Sequence, residues 1–269
     1  MNGSCRSNIL NGSIPKRIIV VLLQLIAYIC THKGLRYMAY DFYIRKKQDL
    51  IEAVQEYGIV PYFQTSIPGF SLQEHCHPSV LFSDSGDDTW EWKGPVIRET
   101  GCAYGKFFEK KAAYVSRELF PDLANYRRDG YDFDARYDDG LAKYQDKQLY
   151  DLIDANGPIL SKELRRTGGY AYSGRWQKTE GKKGFDTSVT RLQEQCYVLI
   201  SDFVYTIDKK GNRRGWGVAE YNIPEKHFGD GFTENVYVHD PKESYERLLE
   251  HLVHLFPHVP VSDLKKLLK

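Results

Sequence analysis

Four cationic side chains fall within six residues late in the chain: Lys209, Lys210, Arg213 and Arg214. Gly211-Asn212 lies between them and strand-like segments lie on both sides, so the pattern predicts the tip of a hairpin. Ammonium and guanidinium groups held together at such a tip are suited to contacting phosphate oxygens. An ordinary exposed turn has a similar composition, and the sequence leaves that alternative open.

A predicted helix before this hairpin carries side chains that can contact base edges. Its apolar residues recur at steps of four, three and four, which predicts a helix over residues 186–196: Phe185, Val189, Leu192 and Cys196. The opposite face then points outward with Thr187, Ser188, Thr190, Arg191, Glu194 and Gln195. Hydroxyl, amide and guanidinium groups hydrogen-bond bases and phosphates. We therefore expect groove contacts from Thr187, Ser188 and Gln195 and a backbone contact from Arg191, with a solvated protein-contact face as the alternative.

The segment before this helix is basic as well. It contains Arg175, Lys178, Lys182 and Lys183, together with Trp176, whose ring offers one stacking surface. We expect Arg175, Lys182 and Lys183 to extend the same nucleic-acid contact.

These groups belong to a run of predicted elements between about residues 144 and 223. The order is a helix (145–155), a second helix (161–167) capped by Ser161, the helix 186–196, a strand (197–206), the basic turn (208–215) and a returning strand (216–221). Three helices followed by a hairpin are typical of a winged helix-turn-helix, whose third helix enters a major groove while the wing touches phosphates. Double-stranded DNA is therefore the expected partner.

Charge is unevenly distributed along a chain whose net charge is only +1. Residues 143–226 carry 15 Lys and Arg against 11 Asp and Glu, whereas residues 38–142 carry 12 against 18. Among the globular parts, only the predicted winged helix is basic, which agrees with a duplex-binding face. The five cysteines are scattered without a C-x-x-C pair, which favours a reducing cytoplasm over a disulfide framework or a zinc site.

The fold class predicted is α+β. A winged helix at 143–228 is expected to pack on an N-terminal α+β part at 38–142 of similar, winged-helix-like architecture, followed by a helical tail at 229–269. The tail could cap the core or form a homodimer contact through residues 245–268, and the sequence does not choose. Residues 1–37 are expected to be a poorly ordered leader or translated sequence upstream of a start at Met38. A packed extra helix, or a targeting or anchoring segment at the apolar residues 18–30, is the alternative.

Several short motifs resemble those of the AlkZ-related proteins, relatives of the AlkZ/YcaQ winged-helix DNA glycosylases. They are Trp90-Glu-Trp-Lys, the Tyr104-Gly-Lys hairpin, Val115-Ser-Arg-Glu-Leu-Phe-Pro and Gly215-Trp216-Gly217, and the resemblance covers roughly residues 48–228. It implies winged-helix elements around a DNA-binding surface and an association with DNA repair. In active members it also implies hydrolysis of the N-glycosidic bond of alkylated bases.

Those active members carry a Gln-x-Gln or Gln-x-Asp triplet early in the domain, and the early part of this chain contains none. Gln193-Glu194-Gln195 has the letters, but its two glutamines would point some 200° apart on a helix. If the chain is nevertheless a glycosylase, Glu91 or Glu99 beside the tryptophans is the residue expected to activate water.

No cofactor or metal is expected. His75-Cys76-His77 lacks a second pair of ligands at suitable spacing, and the aspartates at 132, 134, 138 and 139 lack a calcium-loop pattern. Two further functions stay open: a dimeric regulator on a palindromic site, and a winged helix that contacts protein instead of DNA.

Overall fold

The computed structural model describes residues 41–83, 86–171, 180–211 and 213–269, without the side chain of Arg214. The predictions for residues 1–37 lie outside that range. All the described residues belong to one compact unit, Ala39–Lys269.

Within these residues, six strands form one antiparallel sheet, which together with the helices gives the predicted α+β class. The strands are β1 (Ile59–Pro61), β2 (Ala103–Phe108), β3 (Lys111–Val115), β4 (Ile159–Leu160), β5 (Leu199–Ile207) and β6 (Arg213–Asn222). Their order across the sheet is β1-β3-β2-β5-β6-β4.

Helices lie before, between and after these strands. They are α1 (Lys47–Tyr57), α2 (Lys93–Thr100), α3 (Phe120–Arg128), α4 (Phe133–Asp138), α5 (Tyr144–Asn156), α6 (Ser161–Thr167), α7 (Phe185–Glu194), α8 (Pro224–Phe228), α9 (Asp230–Asn235), α10 (Pro241–Leu255) and α11 (Val261–Leu268). Two 3₁₀ turns, Leu72–His75 and Pro78–Val80, lie between β1 and α2.

Glycines end two of the early helices. Gly58 follows α1 and Gly101 follows α2, both in the left-handed region, and their N–H groups donate to carbonyls of the last helical turn. A side chain at Gly58 would also meet Leu119, because an added Cβ would lie 2.4 Å from Leu119 Cδ1. Only glycine meets both demands at that site.

The second half follows the predicted order, with corrected ends. Helix α6 matches the prediction, but its cap is Leu160 in extended conformation, so Ser161 is the first helical residue and not the N-cap. Helix α7 stops at Glu194 because Cys196 adopts a positive φ of 60°. Strand β6 begins at Arg213, so the hairpin turn is shorter than predicted.

The sheet of the hairpin continues into the N-terminal part. Strand β2 pairs with β5 at Tyr104 and Ile200, and β3 and β1 follow outward from β2. The hairpin therefore lies in the middle of a sheet that both halves of the chain build.

The C-terminal helices cap this core. Leu248 and Leu252 of α10 and the three leucines of α11 are buried. Polar contacts add to the packing, since His251 Nε2 lies 2.9 Å from the carbonyl oxygen of Tyr57 and Arg247 pairs with Asp122 at 2.9 Å. The apolar side of the tail is therefore buried within the chain, as the capping role predicts. The homodimer contact stays a prediction.

Candidate nucleic-acid interface

Helix α7, expected to face a groove, presents a narrower polar face than its sequence predicts. Thr187 is exposed and Gln195, which caps the helix, is half-buried. Ser188 is 1% exposed, so its predicted outward orientation is wrong. The exposed face also includes Asp186, whose carboxylate pairs with Arg165 at 2.5 Å and would repel a phosphate.

Strand β2 covers a further side of α7, at Gln193 and Thr190. Gln193 is buried there: its Nε2 donates to the carbonyl of Val189 (3.0 Å), and its Oε1 accepts from the backbone N–H of Lys106 (3.1 Å). The Lys106 ammonium also reaches the hydroxyl of Thr190 at 3.3 Å. A cation of the N-terminal part therefore stands beside the third helix, which the local sequence does not reveal.

Arg191 is held by an acid of the first helix of the trio. Its Nε and Nη2 donate to both carboxylate oxygens of Asp146, at 2.5 and 2.7 Å, and Asp146 is 2% exposed. This bidentate pair neutralises a buried carboxylate and fixes α7 against α5. The pair gives Arg191 a structural role, and its expected contact with the DNA backbone stays a prediction.

The hairpin carries the exposed cations. Lys209 and Lys210 are exposed at the tip, where the backbone N–H of Lys210 donates to Asp208 (2.8 Å). Arg213 opens β6 with 62% of its side chain exposed. Its guanidinium lies 3.6 Å from Glu91 and 4.7 Å from the centre of the Tyr205 ring. Arg214 follows in the same strand.

The basic loop before α7 is described only in part. Lys182 and Lys183 are exposed, and the backbone of Lys182 bridges to Tyr170 just after α6. Arg175, with Trp176 and Lys178, lies outside the described residues.

Sequence reasoning missed a group of rings beside the first residues of β6, here called the aromatic ridge: Phe82, Trp90 and Trp216. Trp216 is 74% exposed and its ring centre lies 5.5 Å from that of Trp90. Phe82 is 50% exposed and lies 5.7 Å from Trp90 on the other side. The available signal was Gly215-Trp216-Gly217, since a large ring between two glycines within a strand indicates an irregularity.

That irregularity is a bulge in β6. Val204 pairs with Val218 and Thr206 with Arg214, so three residues of β6 face Tyr205 alone. Gly215 has a φ of +65°, and a Cβ on Gly217 would lie 2.9 Å from the Tyr205 ring. The two glycines let the strand bend around Tyr205 and turn Trp216 toward Trp90.

Beneath the ridge lies a buried lysine. The Lys93 ammonium sits 3.1 Å from the ring centre of Trp90 and 4.1 Å from that of Phe203, and the residue is 2% exposed. Burial lowers the pKa of Lys93 to about 7, against the opposing effect of Glu91 and Asp88. The amine therefore changes charge near neutral pH.

Of the two carboxylates proposed to activate water, only Glu91 lies at this surface. Glu91 accepts a hydrogen bond from the Tyr205 hydroxyl and faces Arg213. The pKa of Tyr205 is raised, chiefly by burial and also by this hydrogen bond. Glu99 pairs instead with Lys47 of α1. Glu91 therefore contacts a cation and a hydroxyl of the protein, and Glu99 contacts a lysine.

Metal and membrane features can be assessed for the same residues. His75 Nε2 contacts the carbonyl oxygen of Gly69 at 2.8 Å and His77 Nδ1 contacts Ser79, and nowhere in the described residues do three metal-ligating side chains converge. In 41–83, 86–171, 180–211 and 213–269, no helix has the length and the apolar run that crossing a bilayer requires.

Comparison with known proteins identifies a family. A family model described as AlkZ related matches residues 44–269, which includes the C-terminal helices as well as the segment that carries the sequence motifs. No curated protein and no solved structure matches the chain.

Proposed function

The chain belongs to the AlkZ-related family, and from that membership we propose that it is a winged-helix protein that binds double-stranded DNA in the context of DNA repair. Phosphate contacts come chiefly from the β5–β6 hairpin, which serves as the wing.

The pairing of β4 with β6 is the observation that carries this proposal. Ile159 faces Tyr221 and Leu160 faces Glu220, so the short strand between the first two helices of the trio lies along the outer edge of the hairpin. This order of elements is the one expected of a winged helix. It consists of a helix, a short strand, two helices and a hairpin whose second strand pairs with the short strand. Local periodicity alone does not require that pairing.

The side chains proposed to contact DNA are the basic ones that are exposed to solvent. Lys209, Lys210 and Arg213 stand on the hairpin in solvent, with Arg214 next in the strand. Lys182 and Lys183, together with Arg175, add positive charge before α7. Thr187 and Gln195 remain the groups of α7 proposed to reach a groove.

The proposed protein binds DNA without using the glutamine motif of the active family members to activate water. Gln193 is buried and uses both ends of its amide within the protein, whereas Gln195 is half-buried at the helix end. The two side chains cannot position one water molecule together. Release of an alkylated base from duplex DNA by the full chain would contradict this part of the proposal and leave DNA binding intact.

Anisotropy of a labelled duplex across a salt series tests the binding. For the full chain we expect affinity to fall steeply with salt, with a slope of about 0.9 per phosphate contact. The variant Lys209→Ala/Lys210→Ala/Arg213→Ala is expected to bind more weakly and with a shallower slope, because fewer counterions are released.

The matched control is Lys242→Ala/Lys265→Ala/Lys266→Ala, which removes the same charge from exposed residues of α10 and α11. It is expected to keep the slope of the unaltered protein. Equal losses in the two variants would mean that net charge, and not the hairpin, determines binding. No binding at about 50 mM salt would instead favour a winged helix that contacts protein.

A further inference from the structure

We propose that the aromatic ridge stacks an unpaired base of the DNA that the hairpin holds. This inference rests on the DNA binding proposed above and adds a preference: DNA with one base outside the helical stack is bound more tightly than a perfect duplex.

The first observation is the exposure of the ridge. A tryptophan with 74% of its surface in water, next to a half-exposed phenylalanine, forfeits apolar burial that the fold could have used. Contiguous exposed rings of this kind indicate a surface that a ligand covers. A nucleobase is a flat ring that gains about 1–3 kcal/mol by stacking on such a side chain.

The second observation is that the ridge is built in place. Trp216 is turned outward by the β6 bulge, which depends on Gly215 and Gly217. Trp90 is fixed by Lys93 against its ring and by the carboxylate of Asp88, which accepts from the backbone N–H groups of Trp90 and Glu91 at 2.9 and 3.0 Å. Rings held before binding lose little conformational entropy when a base stacks on them.

Charge complementarity selects a nucleotide as the occupant. Arg213 lies three residues before Trp216, a separation of about 10 Å at most along a strand, so a phosphate at Arg213 and a base at Trp216 can belong to neighbouring nucleotides. Two acids lie beside the ridge. Glu91 faces the guanidinium of Arg213 and the Tyr205 hydroxyl, and Asp88 is 4% exposed with its carboxylate on backbone N–H groups. A nucleic acid could therefore contact the guanidinium of Arg213 and the rings of the aromatic ridge at the same time.

The experiment compares two labelled duplexes that differ only by a single bulged 2-aminopurine. With the full chain we expect tighter binding to the bulged duplex and quenching of 2-aminopurine fluorescence, because stacking on an indole quenches it. Trp216→Ala should weaken binding to the bulged duplex about tenfold, the size expected for one lost stack, and abolish the quenching. Trp216→Phe should restore part of the affinity, because a phenyl ring still stacks on a base.

Ile207→Ala is the control, since it removes another exposed apolar side chain (55% exposed) from the same hairpin outside the ridge. It should leave both effects unchanged. Equal affinity of the full chain for the two duplexes, or full quenching by Trp216→Ala, would overturn the inference while leaving duplex binding in place; the ridge would then be assigned to a protein partner. Failure to bind either duplex would remove the proposed function and the inference together.

Discussion

Replacing Lys93 with methionine isolates the most unusual ionisable group of the fold. The Lys93 ammonium is enclosed by Trp90 and Phe203, and burial lowers its pKa from 10.5 to about 7. Methionine keeps most of the length and removes the charge. The variant therefore changes the pH dependence of folding without opening a large cavity.

The sign of the effect follows from proton binding in the two states. Between about pH 7 and pH 10.5 the unfolded lysine holds a proton that the folded one has lost, so the free energy of unfolding rises with pH in that window. One such proton contributes at most about 1.4 kcal/mol per pH unit. Between about pH 7 and pH 8.5 the unaltered protein should gain about 1.5 kcal/mol relative to Lys93→Met.

Other titrating groups leave this window almost undisturbed. Burial lowers the pKa of His227 and His251 from 6.5, so their contribution is nearly complete by about pH 7.5, where the unfolded imidazoles have lost most of their protons. Burial raises the pKa of the Cys76, Cys102 and Cys196 thiols above 9.0, so they begin to lower stability only as the unfolded thiols ionise near pH 9. Both sets are present in the variant and cancel in the difference.

Urea unfolding of both proteins at several pH values gives the difference directly, provided that the denaturant slopes agree. A difference that stays constant between about pH 7 and pH 8.5 would refute the reasoning, because it would mean that Lys93 keeps its proton in the folded state.

Two further predictions concern packing around the interface. Arg191→Ala should destabilise the fold by about 3 kcal/mol, because it leaves the buried carboxylate of Asp146 without its cation. Adding Asp146→Asn should recover part of the loss in thermal unfolding, whereas unchanged stability with weaker DNA binding would assign Arg191 to the DNA contacts. Gly217→Ala should cost about 1–3 kcal/mol, because its Cβ would overlap the Tyr205 ring. Gly231 lies in helix α9, and an added Cβ there would have its nearest neighbour 4.0 Å away, so Gly231→Ala should leave stability unchanged or raise it. Equal losses of stability at the two glycines would contradict the packing argument.

The elements of the second half follow from local sequence. Helix α6 has the predicted ends, and the predicted helices and strands from α5 to β6 occur in the expected order, because apolar periodicity and turn residues act over a few positions. The short strand β4 was not predicted. Errors fall at helix ends, as at Cys196, where the backbone conformation depends on contacts beyond the window.

Ser188 shows why local reasoning about a face is incomplete. Apolar periodicity gives the angle between residues around a helix. It does not show how many sides of that helix are covered by other elements of the fold. Ser188 is 1% exposed although its type is polar. Strand β2 packs against another side of α7 from a part of the chain more than 80 residues earlier and buries Gln193 there. Only a contact distant in sequence could reveal that.

The sequence by itself determined the α+β class, the order of elements, the basic hairpin and the resemblance to the AlkZ-related family, because composition, spacing and motifs are local properties. The tertiary structure alone decided that one sheet joins both halves, that Arg191 is bound to Asp146, and that Trp90 and Trp216 meet. Those pairings depend on the alignment of strands and helices far apart in the chain. Their energies arise only when the intervening loops have closed and water has left the interface.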